Sequence, residues 1–180
     1  MRARLLAVLC VAPLAARAQG VSPCALVTAP EIAATSAVAV GRLTRDDAVT
    51  LPAKQVPGLA SDLRVEQCHG EIRASGAVTL RINLLTATRD LTAAEWQRTE
   101  AALDALEDDG PAPAPQRIAG AACAQHSWTT RRTLHGHVCS RAAGKHLVAI
   151  EWEHEDAAQL PALPKVAALL ARAVTALAGR

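Results

Sequence analysis

The densest run of chemically able side chains is His135-Gly136-His137-Val138-Cys139. On an extended strand alternate side chains leave the same face, so two imidazoles and a thiol at 135, 137 and 139 share one side. These are ligand types for zinc or copper, with Cys123 as a fourth. The same geometry supports a different chemistry. If the chain turns at Thr130-Arg131-Arg132, Cys123 stands opposite Cys139 on the neighbouring antiparallel strand, where paired Cα atoms lie about 4.5 to 5.5 Å apart and a disulfide can close. That bond consumes the thiolates and leaves His135 and His137 two ligands short of a tetrahedral site, with Glu151 and Glu153 as candidate completing ligands. The disulfide is the favoured reading, and the metal site is the alternative.

Glu151, Glu153 and Glu155 alternate with Trp152 and His154. Paired carboxylates serve as general acid and base in hydrolysis or bind a hard cation. A solvated strand edge is the favoured reading, because Val148, Ile150 and Trp152 take the other face. On the second face of the 123–139 hairpin, Ala124, Trp128, Leu134 and Val138 are apolar, which places Trp128 in a core with His126 half-buried beside it. Cys68 and His69 are strand neighbours that point apart and cannot act as a nucleophile and base pair. The chain has no Gly-x-Ser-x-Gly elbow, His-Glu-x-x-His helix, phosphate-binding glycine loop or Cys-x-x-Cys. These absences shift the balance from catalysis towards binding, and nothing calls for a cofactor.

The elements that must position these residues can be read from pattern. Thr28-Ala29-Pro30-Glu31 is a capping box, with Val27 and Ile32 as its staple, opening a short helix to about Ala37. Proline-punctuated loop follows, with a short strand near Val49. Residues 65–73 and 77–85 form a hairpin around Ala74-Ser75-Gly76; in its second arm Val78, Leu80, Ile82 and Leu84 alternate with Thr79, Arg81 and Asn83. Thr92-Ala93-Ala94-Glu95 caps a second helix, stapled by Leu91 and Trp96, whose Trp96, Leu103 and Leu106 fall on one side. Asp108-Asp109-Gly110 ends it, and a proline-rich connector at 110–115 leads to strands near 123–130, 134–141 and 145–153. A final helix over 163–178 carries the stripe Val166, Leu169, Leu170, Ala173, Val174 and Leu177. Each half thus runs strand, glycine turn, strand, helix, with Arg73-Ala74-Ser75-Gly76 matching Arg141-Ala142-Ala143-Gly144. The match suggests a degenerate ββα repeat, against the competing reading that Ala-rich helices and glycine turns recur by chance. The expected class is α+β, a single antiparallel sheet of about five strands with the helices packed on one face.

Export is expected from the N-terminus. Arg2 and Arg4, an uncharged apolar run over 5–15, and Ala16-Arg17-Ala18 give the order of a cleavable signal peptide over 1–18, too short to span a bilayer. A single domain over 19–180 remains, expected in the periplasm or secreted. Without Arg2, Arg4 and Arg17 the formal charge passes from +2 to −1, 16 basic residues against 17 acidic. With no Phe or Tyr and three Trp, the chain lacks both the stacking platform and the basic stripe of nucleic-acid binders. Cys24, Cys68, Cys123 and Cys139 are left, an even number that suits two disulfides with three connectivities.

Pro23-Cys24-Ala25-Leu26-Val27-Thr28-Ala29-Pro30-Glu31 resembles the Cys-x-Leu-Leu-Thr-x-x-Glu opening of uncharacterised exported bacterial proteins, many of them actinobacterial lipoproteins of unknown function. A strand cysteine some forty residues on, Cys68, and the ending from Lys145 to Ala178 are similar too. The chain departs from that family in lacking the lipid anchor. The resemblance implies a secreted α+β domain whose opening Cys24 is tied to the sheet at Cys68, and no established activity. The function expected is a non-catalytic binding or accessory module for an envelope or secreted protein. The alternatives are a periplasmic copper or zinc protein using His135, His137, Glu151 and Glu153, and a carboxylate-dependent hydrolase.

Overall fold

A computed structural model describes residues 21–36, 40–74, 76–106, 113–129 and 133–179. The expected signal peptide lies outside these residues, as do Ser75 and the turn at 130–132. The chain order is a 3-10 turn Pro23–Ala25, α1 Ala29–Thr35, β1 Val40–Arg45, β2 Val49–Leu51, β3 Leu63–Ala74, β4 Gly76–Ala87, α2 Ala93–Asp104, β5 Gln116–Ile118, β6 Ala121–Thr129, β7 Thr133–Ala143, β8 His146–His154, a 3-10 turn Ala157–Gln159, and α3 Leu163–Ala178. The strands form one antiparallel sheet in the order β1-β3-β4-β8-β7-β6-β5, with β2 also on β3. No helix among the described residues is long and apolar enough to cross a membrane.

The sheet has eight strands rather than about five. The additional ones are short or charged: β1 reads Val-Gly-Arg-Leu-Thr-Arg and β5 is three residues after Pro115. Neither carries the alternation that marks a half-buried strand, because their place is at the sheet margins.

The helices also divide between the two faces. α3 covers one of them, where its Val166, Leu169, Leu170 and Ala173 bury against Leu80, Ile82, Leu84, Val148, Ile150 and Trp152. Cys68, Ile82, Ile150, Cys139 and Cys123 form one row across β3, β4, β8, β7 and β6, and all five are fully buried. Both disulfides stand in that row. Cys24 joins Cys68, and Cys123 joins Cys139.

α2 packs on the opposite face instead. Its Trp96, with Leu91, buries against Leu63, Leu85, Ala87 and Leu147, side chains one position out of phase with the α3 core, and its indole N–H donates to the Gly144 carbonyl at 3.0 Å. The expectation of helices on one face fails because Leu85, Leu147 and Ala149 break the polar alternation of the second face at one end of the sheet. A stripe there demands its own cover. Leu103 joins that cluster, whereas Leu106 lies beyond the helix and is exposed.

The open half of the sheet as candidate functional site

Among the described residues α2 covers only one end of the second face. Beyond it, Gln67, His69, Thr79, Arg81, Asn83, Ala124, His126, Trp128, Leu134, Gly136, Val138, Glu151 and Glu153 share the open remainder, as the strand registers require. The sequence expectation that Glu151 and Glu153 sit at a strand edge is corrected here. β8 lies between β4 and β7, inside the sheet, and Glu153 is buried at 4% exposure.

A buried carboxylate is costly without partners, and these two have them. Arg81 on β4 bonds both Glu151 and Glu153, the first at 3.3 Å, and the Thr79 hydroxyl donates to Glu153. From the other side, His126 on β6 sets its Nε2 3.3 Å from Glu151 Oε1, reaching over the intervening strand β7. That reach needs a glycine. A Cβ on Gly136 would stand 2.2 Å from His126 Nε2 and 2.5 Å from Cε1, inside any tolerable contact. The ring is held from its own strand by Trp128, with centroids 4.8 Å apart and planes inclined by 18°. Trp128 is therefore not a core residue, as its apolar neighbours suggested. It stacks on His126, half-buried on the open face.

Burial alone would push Glu151 up; the His126 hydrogen bond and the Arg81 charge outweigh it and hold the carboxyl below its ordinary value. Burial likewise opposes the charge of Arg81, and Glu153 with Glu151 overturns it. Glu151 thus stays ionised at neutral pH, which suits a fixed polar ladder and not a general acid. Nearer α2, Gln67 donates to Asn83 at 2.8 Å and Ser140 to Glu100 at 2.6 Å. His69 pairs with Asp46 at 3.1 Å.

The four residues of the alternative metal site are not brought together. His135 and His137 lie on the α3 face, aligned with Cys139, while Glu151 and Glu153 lie on the open face. His135 Nδ1 is 2.8 Å from the Ser127 hydroxyl and His137 Nδ1 is 2.9 Å from the Pro161 carbonyl. His154, opposite His135, accepts from the Asp156 amide at 2.8 Å. Among the described residues no three of His, Cys, Asp and Glu are placed to hold a metal ion.

No family model matches this chain, and neither does a curated protein or a solved structure. The case for the open face therefore stands on its geometry. Sequence reasoning placed His126 beside Trp128 but missed the link to Glu151, since the two strands are separated by a third. The signal was Gly136, a glycine inside a strand, which marks a close approach by another group.

Proposed function

We propose that this chain is an exported, non-catalytic module that docks an envelope or secreted protein on the open half of its sheet. One observation carries the reading: a half-exposed Trp128–His126 stack, fixed by Glu151 across a glycine, on a sheet face that α2 leaves uncovered. An indole with a polar tip, held in one orientation, supplies contact area at low entropic cost, which is why such residues dominate binding surfaces. Two disulfides suit an oxidising compartment. The test is capture from envelope extract by the mature protein, beside Trp128→Ala and Arg172→Ala, the latter on the exposed side of α3. The reading expects a captured protein that Trp128→Ala loses and Arg172→Ala retains. Equal capture by all three would overturn it.

We also infer that the two halves are copies of one ββα unit. β3, β4 and α2 correspond to β7, β8 and α3, and β4 meets β8 with Ile82 opposite Ile150. Cys68 flanks the first isoleucine and Cys139 the second. The halves differ in sending their helices to opposite faces.

A further inference from the structure

Glu66 on β3 stands opposite Leu84, on the aliphatic α3 face, and is buried at 2% exposure. A carboxylate there is costly unless it is paired. Arg45 from β1 and Arg64 from β3 both donate through Nη2 to its Oε1, Arg64 at 3.2 Å. One guanidinium would neutralise it. The second leaves a positive charge in excess and sets two cations side by side, which repel unless an anion lies between them. The arginines themselves are 41% and 51% exposed. They lie where the α3 core gives out, with Thr50 and Thr86 in register with Arg64. Of the carboxylates adjoining them in sequence, Asp46 pairs with His69 on the opposite face and Asp62 accepts from the Ala53 amide at 2.7 Å. Asp47 is exposed in the turn between β1 and β2.

We propose that Arg45 and Arg64, set on the buried carboxylate of Glu66, form a clamp for a phosphate group, free or in a lipid headgroup. Each guanidinium spends one N–H on Glu66 and keeps the rest of its planar fork, the geometry that receives phosphate oxygens in pairs. Glu66 is a positioning residue. By holding both side chains it removes in advance the rotamer freedom that loose surface arginines would lose on binding. The excess positive charge supplies the attraction, and a leucine at position 66 would supply neither. The clamp lies on the face opposite the docking surface, so it does not depend on that reading and the two sites can be filled together.

The test is a titration of the mature protein with inorganic phosphate at constant ionic strength, following arginine side-chain N–H signals by NMR. The Arg45 and Arg64 signals are expected to shift together and to saturate, and sodium chloride alone should not reproduce the shift. Arg45→Gln and Arg64→Gln should each weaken binding about tenfold or more, the loss of one charge-assisted contact, whereas Arg172→Gln, which removes the same charge from the exposed side of α3, should leave it unchanged. Arg64→Lys keeps the charge without the fork and should also bind more weakly; should Arg45→Gln fail to fold, the two changes at Arg64 still decide. Vesicles of phosphatidylglycerol separate the two sources of the group. Co-sedimentation that inorganic phosphate displaces assigns the headgroup, and phosphate binding without co-sedimentation assigns the free anion. No saturable shift in the wild type, or an equal loss in Arg64→Gln and Arg172→Gln, overturns the clamp and leaves the docking surface standing.

Discussion

Glu100 on α2 carries a pH dependence that follows from its burial. Burial raises its carboxyl above the ordinary value, and the Ser140 hydrogen bond only partly opposes this. A carboxyl whose folded value is raised stabilises the fold below its unfolded value, and that contribution is lost as pH rises through the folded value. Glu100→Gln keeps an acceptor for Ser140 and removes the charge. The variant should therefore gain on the wild type as pH rises above the ordinary carboxylate range towards neutrality, read as denaturation midpoints at several pH values. A difference that stays constant with pH would contradict the assignment. The histidines of the α3 face make an opposite kind of prediction. With Cys123 and Cys139 joined and Glu151 and Glu153 on the other face, zinc or copper should give no tight one-to-one binding in calorimetry of the non-reduced protein. Tight binding abolished by His135→Ala with His137→Ala would restore the metal reading.

The elements differ in how far local pattern defines them. Both capping boxes form, with the Thr28 amide donating to Glu31 and the Thr92 amide to Glu95, each at 2.8 Å, and α3 spans the residues its apolar stripe marks. The β3–β4 and β7–β8 arms were legible because their alternation is strict where one face is buried. β1 and β5 were not, since marginal strands are fixed by pairing with a neighbour and not by their own periodicity. Cys123 opposite Cys139 was readable from the hairpin alone, whereas the His126–Glu151 link required the order of three strands, which no local pattern contains. The disulfides should differ in weight. Cys24–Cys68 closes a span of 44 residues and Cys123–Cys139 one of 16, so chain entropy assigns about 4 and about 3 kcal/mol respectively. Cys24→Ser should accordingly melt below Cys123→Ser. The reverse order would show that lost packing in the fully buried row outweighs the unfolded-state effect.

At the scale of the whole molecule, one sheet serves two purposes. Its α3 face is a closed aliphatic core stapled through Cys68 and Cys139, rigid enough to fix the registers that align Arg81, Glu151, Gly136 and His126 on the opposite side. Its second face is closed at one end by α2 and open at the other, and the docking proposal depends on that asymmetry. The most direct measurement places a photo-crosslinking residue at Ala124 or Leu134 on the open face, and at Ala168 on the exposed side of α3, in the protein expressed in its own cells. The account predicts a discrete protein adduct from the two open-face positions and none from Ala168. Adducts from Ala168 alone, or none from the open face while the protein is present and folded, would contradict it.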